Sequence, residues 1–358
     1  SVVENYMWFL VAIKDLLKEK NTLKLIQALD LERLNTLEQL FILLSFTQSS
    51  EIVDLIKINI KGENTIFAIE LIDNFIEPEI KKLIIPIFEP ITIGQKSRRL
   101  KPYFHIKHLD FGERLIDILF TDASMVDFWS QARVVELIGK LVTTEDLQKS
   151  QKDLYEIDEP EIWDKENIDN IKQNFEVKTL ADALWCSLLH PSELIFTTSI
   201  KIIYEKGLIS ENLIDKLSEK KRYIYKRLIN GLDLIPDKIR DLRRVYLFYS
   251  VPEKALIRLA DIVTQLKIPA GDEIDFFQNS EEKIIILVKG NLTYTEKNRT
   301  ISFTKNSIII RGLNLPPNAV SLNVMSDSLL IKISRFKFFN LLASNHELVK
   351  NLFKTMKF

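Results

Sequence analysis

Along residues 6–244 apolar side chains recur at spacings of three and four, the period of helices that turn one face inward. In Leu37, Leu40, Phe41 and Leu44 that spacing places every apolar group on one stripe, with Glu38 and Gln39 turned elsewhere. Such a stripe must bury against a neighbour. Breaks divide the run into segments of ordinary helix length, and strand-like alternation is scarce.

Two helical hairpins can be read directly. Residues 65–75 and 80–88 form helices on either side of Glu77-Pro78-Glu79, where proline suits the first turn because an amide there would lack a partner anyway. Across 179–207, Leu180, Ala183, Leu184 and Leu188 line one helix, His190-Pro191-Ser192 turns the chain, and Ile195, Ile200, Ile203 and Tyr204 line the next, which Gly207 ends. Residues 132–142 are predicted to belong to another pair. The acidic stretch 153–166, with Asp158, Glu159 and Glu161 around Pro160, reads as an exposed loop or insertion between pairs.

After residue 244 the texture changes. A short helix over 253–263 leads through 265–268 to Gly271, and then brief strand-like runs follow at 273–277, 283–288, 292–295, 300–303, 307–311, 320–325 and 329–333. Many short strands at even spacing predict a sandwich or barrel. Helices at 336–342 and 347–357 close the chain. The fold class expected is therefore multidomain α + β, with an α-helical repeat domain at 1–244 and a β-roll domain at 245–358.

Helix pairs with a proline turn and roughly 30–45 residues per unit are the pattern of stacked α-solenoids. Residues 184–207, LWCSLLHPSELIFTTSIKIIYEKG, resemble a HEAT repeat at the turn and at the small-residue positions. The last third resembles the cyclic-nucleotide-binding domain family. Leu247-Phe248, Val251-Pro252-Glu253, Leu256, Leu259 and Ala260 look like its first helix. Pro269-Ala270-Gly271-Asp272-Glu273-Ile274 looks like its first turn, and Ile285 through Gly290 like its strand with a terminal glycine. Asp327-Ser328-Leu329-Leu330, Phe336, Phe339 and Leu341-Leu342 look like its final strand and helix.

That resemblance implies a phosphate cassette holding a Gly-Glu pair and an arginine before a small residue. Backbone amides and guanidinium would hold the cyclic phosphate, and the carboxylate the ribose hydroxyl. Counting back from Asp327, the arginine position falls near Asn318 and the Gly-Glu pair near Ile309 and Ile310. Two isoleucines and an asparagine supply neither a bidentate cation nor a carboxylate, so a degenerate roll is expected. In the alternative, a working cyclic-nucleotide sensor, Lys305 and Arg311 would serve the phosphate beside Asn318, and Gly312 would let the backbone approach the ligand.

A third resemblance concerns residues 67–75 (FAIELIDNF), Pro78-Glu79-Ile80-Lys81 and Ile85-Pro86-Ile87-Phe88-Glu89. They are similar to the cytosolic repeat region of bacterial membrane proteins that resemble ATP/ADP antiporters of the major facilitator type. It implies a cytoplasmic module at the cytosolic face of the inner membrane, with the membrane-embedded part of a longer parent chain, or another protein, as partner. The start at Ser1, without a basic leader, is expected of a piece of a longer protein.

Composition narrows the function classes. Apolar residues are 46% of the 358 and charged residues 28%, too apolar for disorder, and the length exceeds what one core usually organises. With 49 Lys and Arg against 50 Asp and Glu, no global field draws in a polyanion. Apolar runs such as 40–46 and 284–288 fall far short of the roughly 20 residues that cross a bilayer. The lone Cys186 forms no internal disulfide and suits a reducing compartment.

Candidate chemistry is thin. His105 and His108 have metal-like spacing without the further ligands a zinc site needs. Cys186 and His190 share a helical face as a thiolate–imidazole pair would, yet lie among Leu184, Leu188 and Leu189, as core residues do. Glu70 and Asp73 read as a solvated edge. No nucleophile elbow, phosphate loop or dinucleotide fingerprint occurs, so no catalytic residue, metal site or cofactor is expected. The basic groups Lys96, Arg98, Arg99, Lys101 and Lys220, Lys221, Arg222, Lys226, Arg227, with Tyr103, Phe104, Tyr223 and Tyr225 between them, keep open nucleic-acid or acidic-headgroup binding. The function expected is a non-enzymatic regulatory or protein-interaction module. A cyclic-nucleotide sensor and a nucleic-acid-binding repeat protein are the alternatives.

Overall fold

The structure, a computed structural model, describes residues 1–61, 64–155, 176–230, 234–248, 251, 253–275, 283–296, 299–344 and 349. The chain divides into two compact units, 1–218 and 219–358. The boundary at 244 read from the sequence falls inside the second unit, ahead of one more helix, and the strands begin at Val263.

The first unit is helical. Its elements are α1 (Val2–Leu16), α2 (Leu23–Leu44), α3 (Ser50–Lys61), α4 (Thr65–Phe75), α5 (Pro78–Phe88), α6 (Ile93–Leu100), α7 (Phe111–Leu119), α8 (Phe128–Leu141), α9 (Thr144–Tyr155), α10 (Leu180–Cys186), α11 (Glu193–Glu205) and α12 (Glu211–Lys216). Local chemistry sets many of the starts. Ser1, Thr92, Asp110 and Thr179 form capping boxes with Glu4, Gln95, Glu113 and Asp182, so two amides that no helix bond could reach are satisfied at each. Pro78 occupies the first turn of α5. The predicted hairpin α4–α5 is present; helices also form on either side of the turn at 190–192, as α10 and α11, each packing on the short 3-10 turn Ser187–Leu189 between them, and the segment predicted at 132–142 belongs to α8, which packs on α7 and α11. The acidic stretch read as a loop from 153 begins inside α9, and from 156 on it lies outside the described residues.

Leu37, Leu40, Phe41 and Leu44 are all buried, as their spacing required, and join Met7, Ile56, Ile72, Ile84 and Leu100 in one core. Phe41 stacks on Phe88 with centroids 5.9 Å apart. A second set closes around Trp185, whose indole N–H donates to the Leu147 carbonyl at 3.0 Å, and Ser187, in the turn after α10, donates to Ser199 on α11 at 2.6 Å.

The helices pair as expected but do not stack in chain order. In a solenoid each repeat touches only its neighbours, whereas α1 packs against α5, α6 and α7 as well as α2, and α2 against α8. The contact between α1 and α7 includes a buried ion pair. The Arg114 side chain on α7 is 1% exposed and donates through Nε and Nη2 to Asp15 on α1, at 3.0 and 2.8 Å. It also donates to Asp117 at 2.6 Å and to the Lys107 carbonyl at 2.7 Å, and lies over the Trp8 ring. His108 Nδ1 approaches the other Asp15 oxygen at 2.6 Å, and the Leu109 amide donates to Asp15.

The second unit opens with α13 (Glu219–Ile229), α14 (Ile235–Leu242) and α15 (Glu253–Ile262). Eight strands follow: β1 (Val263–Ile268), β2 (Glu273–Asp275), β3 (Lys283–Lys289), β4 (Leu292–Glu296), β5 (Arg299–Phe303), β6 (Ile308–Ile310), β7 (Ser321–Val324) and β8 (Ser328–Ser334). Each run predicted as a strand overlaps one of them, with the residues from 276 in the first run outside the described set; the lead-in at 265–268 is strand as well. Helix α16 (Arg335–Ser344) covers the segment predicted at 336–342, and the helix predicted at 347–357 lies outside the described residues save for 349.

Two four-stranded antiparallel sheets form, ordered β1-β8-β3-β6 and β2-β7-β4-β5, the arrangement of a jelly roll. Ile285, Leu287, Leu292, Phe303, Ile309, Leu322, Val324 and Leu330 make its core. Strand β3 is buried on both faces, which explains its unbroken apolar run. Helix α14 is tied on by Lys238, which donates to the carbonyls of Ala260 and Val263 at 3.0 and 2.7 Å, and by Gln265, which donates to Asp241 at 2.8 Å.

Asp15→Asn removes the more buried of the two carboxylates paired with Arg114, leaving Asp117, and is expected to lower the stability of the helical unit by about 3 kcal/mol, read from urea unfolding. Burial opposes ionisation of Asp15, but the bonds from His108, Arg114 and Leu109 outweigh it and hold the carboxyl below its ordinary range. Its contribution is then complete above the unfolded carboxylate value, about 3.9, and is lost as pH falls through the lower folded value. The gap between variant and parent should narrow in that acid range; a constant gap from neutral pH to pH 3 would contradict the assignment.

Candidate ligand loop of the roll

The sequence placed a ligand site on the connection from β6 to β7, residues 311–320. Strand β6 pairs with β3, Ile309 against Ile285, and Ile309 is fully buried in the roll core. The Ile310 amide donates to Asn314 Oδ1 at 2.8 Å, and Asn314 Nδ2 donates to the Ile308 carbonyl. The two positions counted as the Gly-Glu pair are therefore strand residues.

The loop itself is a self-bonded turn. Arg311 bridges to Leu315, and Gly312, with φ of 84°, donates its amide to the Leu315 carbonyl at 2.7 Å. The amides of Leu313 and Asn314 donate to Ile310, and that of Ala319 to Pro316. Pro316 and Pro317 have no N–H to offer. Leu315 and Ala319 are buried at 2% and 0%, pinning the turn to the core. Most of the amides that would face a phosphate are thus absent or engaged within the chain. A Cβ on Gly312 would meet nothing within 4 Å, so its backbone shape, not a close approach, calls for glycine.

Asn318 donates through Nδ2 to Glu296 Oε1 at 3.2 Å, and Tyr294 donates its hydroxyl to Glu296 Oε2 at 3.3 Å. Burial and the Glu296 charge both raise the Tyr294 hydroxyl above its ordinary value, so it stays a neutral donor. Where the resemblance puts a cation, the structure puts an amide held by a carboxylate. An entering phosphate would meet like charge there. Sequence reasoning did not single out Glu296 or Tyr294; they lie on β4, and only the pairing of β4 with β7 carries them toward Asn318.

Of the four candidate residues, Arg311, Gly312 and Asn318 share this connection. Lys305 sits in the turn at the opposite end of β6, exposed, beside Asn306, whose φ of 72° and amide bond to the Leu287 carbonyl shape that turn.

The other sequence candidates fall in the helical unit or on α13. Cys186 is buried, and its thiol is pushed up to about 12, by burial first and then by Asp182, which leaves no thiolate near neutral pH. His190 is buried too, accepts the Ser192 amide on Nδ1 at 3.1 Å and meets the edge of Phe128. His108 is turned to Asp15. Glu70 is exposed, and Asp73 pairs with Lys81 at 2.8 Å. In the basic groups Arg99 pairs with Glu89, Lys96 donates to the Ile87 carbonyl, and Lys221 is 8% exposed, so fewer free cations remain than the sequence counts.

No family model matches the chain, and no curated protein matches it. Among solved structures it is similar to "cAMP bound PfPKA-R (141-441)", at 19% identity over 39% of this chain and 52% of that one, TM-score 0.26. It is similar to the sensor domain of the transcriptional regulator DNR from Pseudomonas aeruginosa, at 14% identity over 33% and 89%, TM-score 0.27. A cyclic nucleotide-binding-like protein from Brucella abortus gives 26% identity over 30% and 98%, TM-score 0.23. The chain spans about half the length of the first of these, 52%.

Two glycines separate backbone shape from steric need. Gly290 has φ of 101°, and a Cβ there would stand 2.8 Å from Ser328 Cα, whereas Gly312 has open space around it. Gly312→Ala should cost only the left-handed backbone penalty, roughly 1–2 kcal/mol, and Gly290→Ala distinctly more. Thermal unfolding of the two variants checks this, and equal losses would refute the steric difference.

Proposed function

We propose that the chain is a non-enzymatic regulatory or protein-interaction module, built from HEAT-like helix pairs and a cyclic-nucleotide-binding-like roll that has lost its ligand. The observation that carries the loss of ligand is the β6–β7 connection, closed on itself by its own hydrogen bonds and lined at Asn318 by Glu296. Recognition of a cyclic phosphate needs free amides and a guanidinium converging on one point.

The interaction half of the reading rests on the helical unit. Large apolar side chains stand in solvent on α2, on the turn after it, and on α3 and α4, among them Ile42 at 58%, Phe46 at 80%, Ile58 at 67% and Ile66 at 71% exposed. Exposed apolar surface of this kind suits contact with another protein surface. With the antiporter-like residues 67–89 on α4 and α5, it supports placing the module on the cytoplasmic side of a longer nucleotide-transporter-like membrane protein. Among the described residues no helix is long and apolar enough to cross a membrane, so transport would belong to other parts of such a chain.

The second reading, a working nucleotide sensor, draws on Arg311, the one cation of the loop, which flanks Gly312. Isothermal titration with cyclic AMP, cyclic GMP and ATP at near-physiological salt separates the two. No saturable heat is expected. Saturable micromolar binding that Arg311→Ala abolishes would overturn the degenerate reading and establish the sensor.

A further inference from the structure

We propose that a cavity in the helical unit, unconnected with the roll, binds a small organic anion carrying an apolar body. The cavity holds about 320 Å³ beside α1, α6 and the segment that follows α6. That is the lower end of the range for small-molecule sites, about 300–1,000 Å³.

Its two parts differ in chemistry. Met7 and Leu100, each 1% exposed, form an apolar floor with the half-buried Phe104 and Ile106. Lys101, His105 and Lys107 stand exposed at its edge, and none of the lining residues is acidic. Among the described residues neither the Lys101 nor the Lys107 ammonium has a hydrogen-bond or ion-pair partner. His108, also in the lining, is bonded to Asp15, which Arg114 and the Leu109 amide engage as well.

Two uncompensated ammonium groups beside a concave apolar floor suit a ligand with a carboxylate or phosphate head and an acyl or aryl body. The head would meet Lys101 and Lys107, with charge-assisted hydrogen bonds stronger than neutral ones. The body would cover Phe104, Leu100 and Met7 and remove them from water. Inorganic phosphate could use only the edge, and a neutral alcohol only the floor.

The test uses the full chain and the fluorescent probe 8-anilinonaphthalene-1-sulfonate, displaced in turn by octanoate, octyl phosphate, octanol and inorganic phosphate. The probe also finds other apolar surface, so the quantity read is the part of the signal that octanoate or octyl phosphate displaces saturably. We expect such a part. Octanol and phosphate should be at least tenfold weaker competitors, and Lys101→Ala with Lys107→Ala should weaken displacement by about tenfold or more, as loss of a charged hydrogen bond does. Both lysines are exposed, so that variant retains its fold, and Ser97→Trp, at the cavity wall, should remove the displaceable part by filling the space. No displaceable signal, equal competition by octanol or by phosphate, or full binding in the double-lysine variant would overturn the proposal.

Discussion

Arg114 keeps a full charge at 1% exposure, where water cannot reach it, so its position is tolerable only with carboxylates and a carbonyl around it. Asp15 supplies the main counter-charge from α1, almost a hundred residues earlier, and the Lys107 carbonyl and Asp117 complete the shell. This contact joins the first helix to the seventh. It also orients His108 and Leu109, and so sets the path of the chain between α6 and α7.

The roll obeys a different constraint, that buried amides and carbonyls must find partners. Strands β3 and β8 meet this with a long ladder, and the β6–β7 connection meets it with bonds to its own carbonyls. A loop closed in this way is a sound structural solution and a poor anion receptor, because the donors are already engaged. The Glu296 carboxylate at Asn318 adds to that. The sheets of a jelly roll do not by themselves specify ligand chemistry, because fold alone never assigns function.

Local pattern determined much of this protein. The period of three to four in 6–244, the proline turns at Pro78 and Pro191, and the short alternating runs after 263 each report a constraint acting over a few residues, so helices, hairpins and strands were legible. The absence of an arginine at Asn318 was legible as well, since it is a matter of residue identity. What tertiary structure decided is which distant groups meet. Nothing in the sequence around Asp15 says that it will lie beside Arg114, nothing around Asn318 says that Glu296 will approach it, and no spacing rule places α1 against α5, α6 and α7. These meetings depend on packing and desolvation summed over the whole unit, and a linear pattern of apolar and polar residues carries no coordinate for them.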